Sequence, residues 1–360
     1  MAKIFSLTVN GYKSIRELQN FQFHNLNVLI GANGAGKSNF ISLFRLLYAI
    51  YEQQLQLYVQ KQGGPDALLH FGRKETEKIH AEFYFKNNGY KFNLIPTNDN
   101  RLIFEKETAY YKNNAHLKNY DRTLGYGLEE SKLKEAQDTF SPYIRNALKN
   151  WRVYHFHDTS ETAKVKQKHA SNDNLTFKPD AANLAAYLHR IYADYPDEYK
   201  RIVENIRLVL PFFHDFVHRD GEPETIELEW TQVGKTDTPL KAHMLSDGSL
   251  RFICLVTLLL QPSSLLPDTV LIDEPELGLH PYAITVLADI FKQVTETKQL
   301  IVSTQSVELV NEFNPEDVVV VNQKNGASTF ERLSQEKLAN WLEDYSLGEL
   351  WKQNVFGGRP

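Results

Sequence analysis

The sequence of 360 residues contains a single cysteine, Cys254. One cysteine excludes an internal disulfide and a multi-cysteine zinc site, and it favours a reducing compartment. No run approaches the roughly 18 consecutive apolar residues of a membrane-spanning helix, and the N-terminus lacks the apolar segment of a secretory signal. We therefore expect a soluble, cytoplasmic protein with no membrane partner.

Excess positive charge is also absent, because the formal net charge is −5. Any contact with nucleic acid must come from a local patch rather than from the field of the whole chain. Lys164, Lys166 and Lys168 form a basic run that could touch phosphates, although a solvated loop is the simpler interpretation. In contrast, 42% of the residues are hydrophobic, enough for the core of one large domain or two.

Strand and helix patterns alternate along the chain. KIFSLTVNGYKSIRELQNFQF and LNVLIG predict strands, and residues 39–60 predict a helix that GGP ends. Residues 78–112, interrupted by NNG and TNDN, predict an antiparallel meander. Further helices are expected at 131–150, at 181–217 and from Pro281, and further strands at WRVYHF, ETIELEW, TVLID, QLIVST and DVVVV. This order predicts an α/β fold with an antiparallel β meander and an inserted helical lid.

The segment GANGAGKS, residues 31–38, fits G-x-x-x-x-G-K-S and lies between a predicted strand and a predicted helix. That context identifies a phosphate-binding P-loop, in which backbone N–H groups surround phosphate oxygens. Lys37 is expected to reach the β and γ phosphates of ATP, and Ser38 to coordinate Mg²⁺. The predicted nucleotide-binding residues of this loop are Asn33, Gly34, Ala35, Gly36, Lys37, Ser38 and Asn39.

Two acidic residues follow the apolar strand TVLID. Asp273 ends the strand, at the edge where open α/β sheets bind ligands, so we predict that it holds Mg²⁺ through water. Glu274 is placed to accept a proton from the water that attacks the γ phosphate, or to orient it. A surface Asp-Glu pair before Pro275 would be the simpler interpretation without a P-loop in the same chain.

The stretch LSDGSLRF, residues 245–252, precedes that strand by a short connection. The order GxxxxGKS, LSDGS and a strand ending in DEP resembles the ABC-type ATPases. Ser246 and Gly248 match the serine and second glycine of that family's LSGGQ loop, and Asp247 stands at its first glycine. The resemblance implies a homodimer with two sandwiched ATP molecules, each contacted by the partner's Ser246 and Gly248. Arg251 is expected either to add positive charge there or to lie solvated on the helix.

Further motifs are similar to those of the stand-alone bacterial ATPases of the RecF, SMC and OLD-nuclease group. They are VNGYKSI, WRVYHFHDTS, ELGLHP, TQS and the C-terminal SLGELWKQNVFGGRP. The resemblance implies ATP hydrolysis that drives a conformational cycle on DNA or on a separately encoded nuclease or effector, in genome maintenance or phage defence. The alternative is a slowly hydrolysing or non-hydrolysing ATP-dependent scaffold or sensor for a partner protein.

The chain also departs from the family pattern. Gln305 stands where the family usually has a switch histidine, so with Lys37 and Glu274 it completes the predicted catalytic set. The family's glutamine loop has no clear match, and His157 or Asp158 are the candidates for its position. The tail GGRP looks too exposed for a core. We predict an N-terminal lobe at residues 1–120, a mainly helical lid at 121–223 and a C-terminal lobe at 224–360.

Overall fold

The computed structural model describes residues 3–113, 118–219, 221 and 223–359. Its strands are β1 (Ser6–Tyr12), β2 (Ile15–Gln22), β3 (Leu26–Ile30), β4 (Ile79–Phe85), β5 (Asn88–Pro96), β6 (Leu102–Asn113), β7 (Lys118–Gly125), β8 (Trp151–Tyr154), β9 (His169–Ala170), β10 (Phe213–Phe216), β11 (Thr225–Ile226), β12 (Glu229–Gln232), β13 (Lys235–Lys241), β14 (Thr269–Asp273), β15 (Gln299–Ser303), β16 (Val318–Lys324) and β17 (Ala327–Arg332). Its α-helices are α1 (Lys37–Tyr51), α2 (Leu55–Lys61), α3 (Ser141–Lys149), α4 (Leu184–Asp194), α5 (Pro196–Val209), α6 (Asp247–Leu260), α7 (Pro281–Thr295), α8 (Val307–Val310), α9 (Gln335–Leu342) and α10 (Leu347–Lys352). The chain divides into two compact units, a first unit of residues 1–153 with 314–360 and a second unit of residues 154–313.

The first unit contains an antiparallel sheet with the strand order β2-β1-β4-β5-β6-β7. The predicted meander at residues 78–112 is confirmed as β4, β5 and β6, and β7 extends it. In the same unit, β16 pairs in parallel with β3 and antiparallel with β17. Because β3 leads directly into α1, this pairing anchors the strand from which the glycine loop emerges.

Aromatic side chains fill the core of the first unit around α1. Phe40 and Phe44 of this helix lie with ring centroids 5.6 Å apart. Phe40 also approaches Phe330 at 5.2 Å, and Phe44 approaches Trp151 at 5.8 Å. Such tilted ring pairs stabilise the core beyond the contribution of the apolar area that they bury. The start of α1, which follows the glycine loop, is therefore supported by a dense apolar layer.

The second unit contains the parallel pair β14 and β15, with a register running from Thr269↔Gln299 to Asp273↔Ser303. It also contains the antiparallel set β10-β12-β13 and the short pair β11-β9. Residues 250–260 of α6 are all buried, as expected of a helix that is apolar on every side, and α5 and α7 pack against it. None of the helices in the described ranges combines the length and apolarity that a bilayer crossing requires.

The predicted helix at 39–60 is interrupted in the structure, where α1 and α2 are separate. Gln53 adopts φ 57°, a left-handed conformation that ends a right-handed helix. The carboxylate of Glu130 then accepts the N–H groups of Leu55 at 2.8 Å and Gln56 at 3.0 Å, which satisfies donors at the start of α2. The single-helix prediction was wrong because this capping carboxylate comes from a distant segment.

The predicted helix at 131–150 also begins later than expected, since α3 starts at Ser141. The Asp138 carboxylate accepts the N–H groups of Phe140 and Ser141 at 2.8 and 2.9 Å. A side-chain acceptor of this kind satisfies N–H groups at the beginning of a helix. The preceding residues form turns rather than a helix.

The predicted helix at 181–217 is two helices, α4 and α5, and α5 ends at Val209. Pro211 disfavours the helical conformation of the residue before it, and the following residues form β10, which pairs with β12. The predicted strand ETIELEW is likewise divided into β11 and β12. Pairing with other strands, rather than local propensity, decided these segments.

The C-terminal tail was expected to be exposed, and this expectation was wrong for Gly358, which is buried. Its N–H group donates to Asn322 Oδ1 at 2.6 Å, and Trp351 Nε1 donates to its carbonyl. A Cβ at this position would lie 3.5 Å from the Cα of Gly31. The tail therefore packs beneath the first glycine of the P-loop. Pro360 lies outside the described residues.

Candidate functional site

The glycine loop GANGAGKS connects β3 to α1 in the first unit. Gly36 is the N-cap residue of α1 at φ 119° and receives no side-chain cap from the described part of the chain. A helix start whose N-cap residue has no side chain offers room for an anion. Asn33 and Gly34 are exposed, whereas Ala35 is buried. A glycine loop that runs into an open helix N-terminus suits phosphate oxygens.

Lys37 lies across the loop and is only 5% exposed. Its Nζ donates to the carbonyl oxygens of Gly31 and Ala32, the latter at 3.2 Å. Ser38 is exposed on the first turn of α1, and Asn39 Nδ2 donates to Ser14 Oγ at 2.7 Å. An ammonium held against carbonyls can exchange these acceptors for charged phosphate oxygens, which form stronger hydrogen bonds.

Ser14 and Ser328, two serines that the sequence did not indicate as site residues, support the loop through hydrogen bonds. Ser328 Oγ donates to the carbonyl of Ala35 at 2.6 Å and lies 2.7 Å from Ser14 Oγ. A Cβ on Gly36 would lie 2.0 Å from that Ser328 oxygen, and a Cβ on Gly31 would lie 2.2 Å from a backbone carbonyl. Glycine is therefore required by packing as well as by φ. Ser14 and Ser328 are 314 positions apart, so no local signal could have paired them.

Asp273 ends β14 in the second unit, as the sequence predicts. Its neighbour in the parallel ladder is Ser303, whose Oγ donates to Asp273 Oδ1. The side chains after parallel strands share one edge of the sheet, where α/β proteins bind ligands. The hydroxyl orients the carboxylate of Asp273 and reduces the number of rotamers that it samples.

Of the two candidates for the glutamine-loop position, His157 makes the contact with this edge. Its Nε2 donates to the backbone carbonyl of Asp273 at 2.9 Å. Asp158 is exposed and accepts hydrogen bonds from the N–H and hydroxyl of Ser160 instead. These bonds hold the pKa of Asp158 below its usual value. The structure thus places His157, and not the side chain of Asp158, against the strand that carries Asp273.

Glu274 and Gln305 are brought together by the ends of β14 and β15. Gln305 Nε2 donates to Glu274 Oε1, and the backbone N–H of Gln305 donates to Glu276 Oε1 at 2.9 Å. Glu274 has φ 46°, a left-handed conformation that costs about 1 kcal/mol or more for a residue with a side chain. Its N–H group donates to the carbonyl of Ser303 at 2.9 Å. Strain that neighbouring contacts maintain is typical of functional positions.

The signature loop LSDGS forms the start of α6. Ser246 is the N-cap residue, and its Oγ accepts the N–H of Ser249 at 3.2 Å. A Cβ on Gly248 would lie 2.2 Å from the carbonyl oxygen of Gly278. Only glycine permits this approach, so the signature loop is packed directly on the segment that follows β14. The predicted residues Ser246 and Gly248 both lie at the exposed N-terminus of a buried helix.

Arg251, one turn into α6, was expected either to add charge to this loop or to be solvated, and the solvated alternative was wrong. Its side chain belongs to the core, at 6% exposure. The guanidinium donates to the carbonyls of Phe156 at 2.8 Å, His157 at 3.2 Å and Leu277. Burial lowers its pKa. The arginine therefore joins two other backbone segments to α6, and its Nε and both Nη atoms donate within the protein.

The three lysines of the basic run each have a carboxylate neighbour. An ammonium beside a carboxylate contributes less to the field that attracts a polyanion. The pairs are Lys164 with Asp180 at 3.1 Å, Lys166 with Asp247 at 3.6 Å and Lys168 with Glu227 at 3.7 Å. These lysines therefore belong to a surface of mixed charge, and they do not form a purely positive patch.

The chain is similar to known proteins in its family and in its fold. Residues 26–311 match the family described as "AAA domain, putative AbiEii toxin, Type IV TA system". No curated protein matches the chain. A solved SMC head bound to the C-winged helix domain of ScpA is 15% identical, with 94% of this chain and 99% of that chain covered and a TM-score of 0.61.

A second SMC head, from Pyrococcus furiosus with an extended coiled coil and bound to the C-terminal domain of ScpA, is also 15% identical. The similarity covers 96% of this chain and 99% of that chain, with a TM-score of 0.58. At these identities the likeness concerns the fold, and it confirms the predicted α/β fold of a P-loop ATPase of ABC type. The family match spans the P-loop, the signature loop, β14 and Gln305. The chain therefore belongs to this AAA-domain family and has the fold of an SMC-type ATPase head.

Proposed function

We propose that the chain binds ATP with Mg²⁺, hydrolyses the ATP, and works as a homodimer that sandwiches two nucleotides. The observation that carries this proposal is the glycine loop that leads through Gly36 into the start of α1, with the Lys37 ammonium lying across the loop. Backbone N–H groups, a helix dipole and an ammonium are complementary to a triphosphate. Residues 33–39 would line the nucleotide site.

The oxygen donors of Ser38 and Asp273 suit Mg²⁺, which prefers hydroxyl, carboxylate and water ligands. When bound, the ion would offset the charge of the phosphate oxygens. The Ser303 hydroxyl keeps the Asp273 carboxylate in one orientation. Glu274 would accept a proton from the attacking water or orient it, and Gln305 would hold that carboxylate and the water without changing charge.

The signature loop would act on the nucleotide of the partner subunit. Ser246 supplies a hydroxyl, Gly248 supplies backbone without a side chain, and α6 directs the positive end of its dipole outward. The buried body of α6 keeps this N-terminus in place. Each nucleotide would then touch a P-loop from one subunit and a signature loop from the other, so ATP would join the two subunits and hydrolysis would separate them.

The output of such a cycle would be work on DNA or on a separately encoded nuclease or effector, in genome maintenance or phage defence. One solved SMC head of the same fold is bound to the winged-helix domain of ScpA. That complex supports a protein partner for this chain by analogy of fold alone. The balanced charges around residues 164–168 give no comparable support for DNA.

A second candidate function is a scaffold or sensor that holds ATP and hydrolyses it slowly. It is favoured by Gln305, whose neutral amide stands where related ATPases usually have a switch histidine and donates to Glu274 Oε1, but cannot change its charge during turnover. Steady-state turnover that rises steeply with protein concentration would support the dimeric ATPase. Retention of one ATP per chain with little phosphate release would support the scaffold.

Sedimentation velocity of the Glu274→Gln variant with ATP, Mg²⁺ and a labelled DNA duplex tests the main proposal. We expect the mass to double only with ATP, because the base is removed while the P-loop is retained. A matched Ser246→Arg change in the same background should prevent doubling and leave ATP binding intact. ATP binding without dimerisation would contradict the sandwich, and dimerisation without DNA co-sedimentation would direct the search to a protein partner.

A further inference from the structure

Glu276 is an acidic residue that the mechanism above does not use. It lies in the segment between β14 and α7, and its side chain turns back toward the end of β15. Its Oε1 accepts the backbone N–H of Gln305 at 2.9 Å, and its Oε2 is buried. Burial raises the pKa of this carboxyl group. Enclosing a carboxyl group is costly, so a surface role does not account for it.

The contact is made with the part of the chain where strand pairing has ended. β15 stops at Ser303, and α8 begins only at Val307. Between them, the N–H of Ser306 donates to Thr304 Oγ1 at 2.9 Å, and the N–H of Gln305 donates to Glu276. Side chains therefore replace the sheet as acceptors here. The Glu276 carboxylate therefore fixes the main chain of Gln305 and, with it, the direction of the Gln305 side chain.

Gln305 in turn contacts Glu274, the predicted base. Its Nε2 donates to Glu274 Oε1. Glu274 already has a constrained main chain, with φ 46° and its N–H group bonded to the Ser303 carbonyl. Its side-chain torsions are not set by that backbone, and the Gln305 amide restricts them. The three side chains thus form a series from Glu276, through Gln305, to the carboxylate that would face the attacking water.

We propose that Glu276 is a positioning residue for ATP hydrolysis and acts on Glu274 through Gln305. This inference rests on the proposed ATPase function. It assigns Glu276 no contact with nucleotide or water, because its polar atoms are directed into the protein. The role requires an acceptor at Oε1, which glutamine retains and alanine lacks.

A double-mutant cycle between Glu276→Ala and Gln305→Ala tests the series, with kcat and KM for ATP measured for each variant. We expect Glu276→Ala to lower kcat about tenfold with KM nearly unchanged, since misplacing a catalytic group costs rate rather than nucleotide binding. In the Gln305→Ala background the same change should cost almost nothing more. Glu276→Gln should recover most of the rate lost in the alanine variant.

Glu312→Ala is the matched control, because Glu312 is an acid of the same unit whose Oε1 accepts only the Thr285 hydroxyl among the hydrogen bonds of the described residues. Its kcat should equal that of the unaltered protein. Independent, multiplied losses in the double variant would overturn the inference, as would an alanine variant that loses ATP binding and thermal stability together with rate. If the unaltered protein releases no phosphate while binding ATP, the proposed function itself fails. That result differs from measurable turnover in which the losses of the two single variants multiply, which overturns only the role of Glu276.

Discussion

Alanine at position 36 should destabilise the protein far more than alanine at position 34, although both glycines belong to the same loop. Both have positive φ, 119° for Gly36 and 79° for Gly34. An L-residue in such a conformation costs about 1–2 kcal/mol. The two sites differ in space, because a Cβ on Gly34 would meet nothing within 4 Å, whereas one on Gly36 would lie 2.0 Å from Ser328 Oγ and 2.9 Å from Ser14 Oγ.

Relief of that contact requires the Ser328 hydroxyl to leave the Ala35 carbonyl and Ser14. Each lost hydrogen bond is worth about 1 kcal/mol, and the added methyl group costs about 1–3 kcal/mol as overpacking. With the backbone term, Gly36→Ala should lower the free energy of unfolding by about 4–7 kcal/mol. Gly34→Ala should lower it by about 1–2 kcal/mol.

Urea denaturation of both variants, followed by tryptophan fluorescence and fitted with a common m-value, measures this difference. Ser328→Gly in the Gly36→Ala background should recover about half of the loss, because it removes both the oxygen and the Cβ that lies 2.8 Å from the added methyl group. Equal destabilisation by the two alanines, or no recovery with Ser328→Gly, would refute the packing argument and leave backbone conformation as the whole effect.

Two further expectations concern the second unit. Arg251→Met should lower the free energy of unfolding by about 2–4 kcal/mol, because it leaves buried carbonyls without donors. Arg201→Met is the control, since Arg201 is exposed and its guanidinium donates to Gln293 at 3.2 Å. This change should alter the free energy of unfolding in urea by less than about 0.5 kcal/mol. Burial lowers the pKa of His218 from 6.5 to about 4, so the unfolded chain binds the proton more readily than the folded chain. The contribution of His218 to stability is complete above pH 6.5 and should be lost as the pH falls toward 4. His218→Gln should flatten that decline in urea titrations at several pH values, and an unchanged slope would contradict this expectation.

The local features of this protein could be predicted from the sequence. The glycine pattern at residues 31–38 and the apolar strand that ends at Asp273 depend on the conformational preferences of neighbouring residues. The meander at residues 78–112 was predictable for the same reason, since alternation and turn residues are local signals. Glu274 and Gln305 were identified through motifs, and their contact follows from the parallel pairing of β14 with β15.

Only the tertiary structure decided which polar groups meet across long distances in the chain. Ser328 reaches the P-loop, Glu130 caps α2, and Arg251 binds the carbonyls of two other segments. A serine, a glutamate or an arginine has the same appearance in a sequence whether it is solvated or buried against such a partner. Burial removes water from a donor or acceptor and makes a protein partner obligatory. Which partner is present depends on the segments that the packed core brings together, and no local pattern encodes that choice.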